Sequence, residues 1–147
     1  MQASRSVFML LGVVSSLTLM PGPRLMADEG AEHEVEKAVE TANAWLTLVD
    51  TGAYAQSWET VAAYFKGAVK KEAWEGQLAA VRAPLGKRLL RTLKSSQYST
   101  TLPGAPDGEY VVIEYETSFE KKLAAVETVI PMREPDGTWK VAGYYIK

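Results

Sequence analysis

Tyr110-Val111-Val112-Ile113-Glu114-Tyr115-Glu116-Thr117-Ser118-Phe119 alternates residue by residue, with Val111, Ile113, Tyr115, Thr117 and Phe119 on one parity and Tyr110, Val112, Glu114, Glu116 and Ser118 on the other. Side chains of a strand point to opposite faces in turn, so this pattern predicts a strand with its first set toward a core. Two further segments follow it, broken by Lys121-Lys122 and by Pro135-Asp136-Gly137, a hairpin signal. Ala125–Arg133 is apolar on both parities apart from Glu127 and Thr128, which predicts cover on both faces. Pro131 lacks a ladder donor and belongs at an edge, a bulge or a strand end. Thr138–Ile146 forms the last strand, with Trp139, Val141 and Tyr145 on one parity and Gly143 as the place for a bend. Upstream, Lys87–Leu102 is expected to hold a long, bulged strand. Pro103, Gly104, Pro106, Asp107 and Gly108 then turn the chain into the next one.

Three helical stretches precede the sheet. Val35, Val39, Ala42, Leu46 and Val49 recur at helical spacing with Trp45 beside them, and Gly52 supplies a stop. Tyr54, Trp58, Val61 and Phe65 mark a second helix, and Trp74, Leu78 and Val81 a third that Pro84 and Gly86 end. The fold class is therefore α+β, three N-terminal helices on a curved, cone-like, four-stranded antiparallel sheet.

The first 27 residues stand apart. Arg5 leads into the apolar run Val7–Met20, which ends at Pro21-Gly22-Pro23. That run is shorter than the roughly 20 residues a spanning helix needs, so it reads as a secretory signal peptide cleaved after Ala27 rather than as a stable anchor. Residues 28–147 are expected to form one domain, exported to the periplasm or secreted, with Asp28 to Glu34 a frayed lead-in. Removing Arg5 and Arg24 shifts the net charge from −2 to −4, because no acidic residue leaves with them. A mildly acidic domain is a poor nucleic-acid partner. The nearest basic cluster, Lys87, Arg88, Arg91 and Lys94, is better read as a solvated edge that discourages stray pairing. The chain has no cysteine and one histidine, His33, so thiol chemistry is excluded and the usual zinc sets cannot be assembled. No metal and no cofactor is expected.

Several phrases, in order along the chain, carry a family resemblance: Ala44-Trp45-Leu46, Ser57-Trp58, Arg82-Ala83-Pro84-Leu85-Gly86, Leu102-Pro103-Gly104-Ala105-Pro106-Asp107-Gly108-Glu109-Tyr110, Val126-Glu127-Thr128-Val129 and Gly143-Tyr144-Tyr145-Ile146. On these the chain resembles domain of unknown function family 4019. The resemblance implies a fold similar to the nuclear-transport-factor-2-like superfamily, in which helices fill the mouth of a bent antiparallel sheet. It implies no activity, since that superfamily hosts enzymes, binding proteins and scaffolds. Relatives often open the third helix with Ser, where this chain has Lys70.

Carboxylates are the remaining acid–base candidates: Asp50, Glu59, Glu114, Glu116 and Glu127. Asp50, beside Gly52, is expected to hydrogen-bond its turn, and Glu114 and Glu116 to face solvent. Glu127 stands in an apolar strand and is expected to pair with a Lys or Arg across the ladder. Alternatively, it is a base whose pKa burial raises. The aromatic residues are read first as core. If they converge, Tyr54, Trp58, Trp74, Tyr115, Glu127, Trp139 and Tyr145 would line a pocket for a small apolar or aromatic ligand. Tyr110, Val112, Val129, Tyr144 and Ile146 would form an outer apolar face suited to a homodimer. No catalytic residue is assigned. The leading expectation is a non-catalytic binding or interaction module, against an acid–base isomerase or lyase and a dimeric structural component of the envelope.

Overall fold

The computed structural model describes residues 23–147, with side chains from Asp28 onward. Most of the expected leader, residues 1–22, lies outside them. Helix α1 spans Pro23–Asp50, so it runs through the expected cleavage point and through the lead-in expected to fray. Its end agrees with the sequence: Gly52 adopts φ +78°, which only glycine takes without strain, and the Gly52 and Ala53 amides donate to the Val49 and Leu48 carbonyls at 3.1 and 2.9 Å.

The expected second helix is broken in two, α2 (Tyr54–Glu59) and α3 (Ala63–Ala68). Tertiary contact is the cause. Val61 and Ala62 are fully buried between them, and the Ala62 amide donates to the Val141 carbonyl of the last strand at 2.8 Å, a bond that a continuous helix could not make. Helix α4 (Lys71–Arg82) runs into a 3-10 turn at Ala83–Leu85. Lys70 occupies its N-cap with no side-chain bond to the helix amides.

Four strands follow, β1 (Arg88–Ser99), β2 (Tyr110–Phe119), β3 (Lys122–Arg133) and β4 (Trp139–Ile146), paired antiparallel in sequence order. Strand β1 carries two register irregularities, as a bulged strand should. Strand β2 presents Val111, Ile113, Tyr115, Thr117 and Phe119 inward, all buried. Ala38, Ala42, Trp45, Leu46 and Val49 of α1 and Trp74 and Leu78 of α4 pack onto that face with Val129, Trp139 and Val141. Pro131 sits at a break in the β3–β4 register, the one kind of place where an interior strand tolerates it.

That same break overturns the parity expected of β4. Pro131 pairs with Val141 but Ile130 with Gly143, leaving Ala142 as an extra residue. One inserted residue reverses every side chain beyond it. Trp139 and Val141 face the helices as expected, but beyond the bulge Tyr144 turns inward and Tyr145 outward, where it is 59% exposed. The expected interface face dissolves for related reasons. Val129 is core, Tyr144 is inward, and Tyr110 is buried with its hydroxyl donating to the Pro106 carbonyl at 2.5 Å.

Candidate functional site

The residues with chemistry gather where the end of α1, the end of α4 and the sheet meet. Along α4, Trp74, Leu78 and Arg82 are four apart and share one face, so the apolar stripe ends in a guanidinium, and all three are buried. On β1, Arg91 stands opposite Thr117 of β2, and Glu127 lies on the inner face of β3. Asp50 is the last residue of α1.

Arg91 organises the cluster. Its Nη1 and Nη2 donate to both Asp50 oxygens at 2.7 and 2.9 Å, while Nε and Nη2 donate to Glu127 Oε1 and Oε2 at 2.7 and 3.2 Å. Thr117 Oγ1 donates to Glu127 Oε1 at 2.6 Å, and the Tyr144 hydroxyl donates to Oε2. Arg82 Nη2 donates to Asp50 Oδ1 at 2.9 Å and Nη1 reaches the Tyr144 oxygen at 3.4 Å; the guanidinium lies 4.8 Å over the Phe119 ring. Arg88 adds a bond to Asp50 Oδ2 at 3.0 Å. Asp50 therefore receives three arginines, not the turn bonds expected of it.

A buried charge is tolerable only when paired and hydrogen-bonded, and this cluster meets that condition nearly everywhere. Among the described residues, Arg82 Nε is the buried side-chain polar atom without a partner. Burial pushes the Asp50 carboxyl up, but hydrogen bonds from Arg91 and Arg82 outweigh it and hold the group below its ordinary value. Burial and the neighbouring Glu127 charge push the Tyr144 phenol well up. Tyr115, which donates to Asn43 Oδ1 at 2.7 Å, is raised to about 12, chiefly by burial.

A general base needs a free lone pair facing a space where substrate can sit. Glu127 is 0% exposed and both of its oxygens are taken. The cluster ties helices to sheet; it does not present a reactive group.

The other expected pocket residues are dispersed. Trp74 is core, its Nε1 donating to Ser57 Oγ at 3.0 Å with Phe65 edge-on at 5.1 Å. Trp58 donates to the Val69 carbonyl at 2.8 Å, and Tyr54 packs beside it against the core. Trp139 donates to Glu34 Oε2 at 3.0 Å. Tyr115 and Glu127 belong to the polar cluster, and Tyr145 lies on the opposite face. Trp74 and Tyr145 do share a groove of about 270 Å³ between α4 and β4, with Val81 and Ile146. His33 is an exposed residue near Glu36.

Arg82 and Thr117 are not among the expected site residues; Arg91, expected at a solvated edge, and Tyr144, expected on an outer face, belong to the cluster instead. Their signals were present: Arg82 continues the Trp74–Leu78 spacing, Thr117 interrupts the apolar parity of β2, and Arg91 lies in a stretch, 87–106, with no acidic residue to pair with locally.

A family model described as "Protein of unknown function (DUF4019)" matches residues 41–144. A solved structure from Catenulispora acidiphila is 12% identical, covers 83% of this chain and 94% of its own, and superposes with a TM-score of 0.52. A crystal structure from Shewanella frigidimarina NCIMB 400, provisionally named a ketosteroid isomerase, is 21% identical over 76% of this chain and 94% of its own, with a TM-score of 0.49. No curated protein matches at a significant level.

Proposed function

The chain belongs to the DUF4019 family of proteins of unknown function, and from that premise we propose that it is an exported, non-catalytic module that binds a small apolar or aromatic molecule. Export is supported by the basic and apolar N-terminal run that ends in Pro21-Gly22-Pro23. Among the described residues no helix is long and apolar enough to cross a membrane.

The observation that carries the reading is the saturation of Glu127. An isomerase or lyase would place a carboxylate, with a tyrosine as donor, inside an open pocket; here the carboxylate and Tyr144 are bonded to each other, and Arg91 and Thr117 close the remaining positions. What remains open to a ligand is surface grooving lined by aromatic and aliphatic side chains, the usual chemistry of small-molecule recognition. Mass spectrometry of natively purified protein tests this. Added mass that leaves on denaturation is expected. A clean apo mass, with no thermal shift across a metabolite panel, overturns it.

A further inference from the structure

The outer face of the sheet carries a slot of about 330 Å³ with no charged lining residue, a property it shares with the α4–β4 groove; unlike that groove, it is walled by the turn at Pro103 and Gly104. Tyr64 of α3 and Tyr145 of β4 stand at its rim, 42% and 59% exposed. Pro103 and Gly104 form one wall, and Gly143 lies on its floor. The groove beside α1 includes Glu59 and Lys140, and that below β1 includes Glu116 and Lys147.

Two separate pieces of chain supply most of the slot, with Tyr64 of α3 and Ile130 of β3 completing it. The turn-rich segment Leu102–Tyr110 and the segment Gly143–Ile146 both carry the family resemblance, yet neither takes part in the inner polar cluster except through Tyr144. They meet here. The wall is held in place before any ligand arrives. Tyr110 donates to the Pro106 carbonyl at 2.5 Å, the Gly108 amide to the Thr100 carbonyl at 3.1 Å, and Tyr64 to the Gly104 carbonyl at 3.3 Å. The last bond is long for a hydroxyl donor, and so the easiest for a ligand to replace.

We infer that this slot is the ligand site, and that it takes a neutral, planar aromatic molecule bearing a hydroxyl or carbonyl group. The inference rests on the binding reading above and names its place and chemistry. Exposed tyrosine rings offer faces and edges to a third ring. The tyrosine hydroxyls and the Gly104 carbonyl offer donor and acceptor to a ring substituent. Without a charged side chain, the slot gives an ionic ligand nothing to offset the cost of its desolvation. The volume lies at the lower end of the range of small-molecule sites, which suits one or two fused rings.

Gly143 allows a direct test. A Cβ there would make ordinary contacts of 3.6 Å with Ile130 and Tyr145, and its φ is not positive, so Gly143→Val narrows the slot without backbone strain. Tyr145→Ala is the second variant, safe for folding because the ring is exposed. The probe is 2-naphthol, titrated by calorimetry and by heteronuclear NMR, with 2-naphthoate and 2-naphthylmethylammonium as ionic counterparts. Val81→Asp in the α4–β4 groove is the control. The expected result is 2-naphthol binding that falls roughly tenfold or more in Gly143→Val and Tyr145→Ala, survives in Val81→Asp, and is roughly tenfold weaker for either ion. Because Tyr145 also borders the α4–β4 groove, Gly143→Val and Val81→Asp decide the place: binding that survives Gly143→Val and is lost in Val81→Asp would overturn the slot while leaving the binding function standing. Ionic probes binding as well as 2-naphthol would overturn the chemistry. No binding of any probe overturns the inference, and a clean apo mass beside it removes the binding reading too.

Discussion

The inner and outer faces of one sheet treat polar groups in opposite ways. On the inner face, Asp50, Arg82, Arg91, Thr117, Glu127 and Tyr144 consume one another's hydrogen bonds. On the outer face, Tyr64 and Tyr145 stay exposed around an uncharged slot. The difference follows from the surroundings. Helices exclude water from the inner face, so a carboxylate there must be paired; the outer face is half solvated, so water can satisfy a phenol there. A buried cluster of charge is therefore weak evidence for catalysis unless one of its groups is left open.

Removing Arg91 should break this contrast most severely. Arg91→Ala leaves Glu127 buried without its main partner, and breaking such a pair costs about 3–5 kcal/mol. Urea unfolding should register a loss of that order. A loss below about 1 kcal/mol would mean that water reaches Glu127 and that the inner face is not closed.

Titration sharpens the same point. The Asp50 carboxyl is held below its ordinary value of 3.8; a depressed carboxylate adds stability above its unfolded value and loses it as the pH falls through the folded value. Asp50→Asn should therefore flatten the acid limb of a stability-versus-pH curve. The sign reverses for Tyr144, raised above its ordinary 10.0. Its contribution is complete below pH 10.0 and is lost as the pH rises beyond it, so Tyr144→Phe should flatten the alkaline limb.

Tyr145→Ala, on the exposed side, should change stability by no more than about 0.5 kcal/mol, as surface substitutions usually do, measured by the same urea curves. A loss near that of Arg91→Ala would make the outer ring a structural element and erase the distinction. The smallest effect lies outside both regions. Lys70 leaves the α4 amides uncapped, so Lys70→Ser should stabilise by about 0.5–1 kcal/mol with no change in ligand binding.

Periodicity was enough to read β2, because a single strand with one covered face obeys a period of two throughout. It failed in β4, where the Ala142 bulge moved Tyr144 inside and Tyr145 outside. It failed again at Thr60–Ala62, where a bond to Val141 stops the helix. Glu127 was visible as an odd charge in an apolar strand. Arg82 was not, since an arginine at a helix end is ordinarily solvated, and only the spacing from Trp74 and Leu78 marked it.

By itself the sequence determined the α+β order, the four strands, their turns, the missing thiols and the family, because these rest on local geometry and on residue types. Tertiary structure alone decided what each inward polar group meets. Asp50, Arg82, Arg91 and Glu127 lie on four different elements, separated by up to 77 positions between Asp50 and Glu127. No local period encodes whether four such charges end up neutralising one another or waiting for a substrate. That outcome depends on strand register, on one bulge, and on the exclusion of water once the helices have packed.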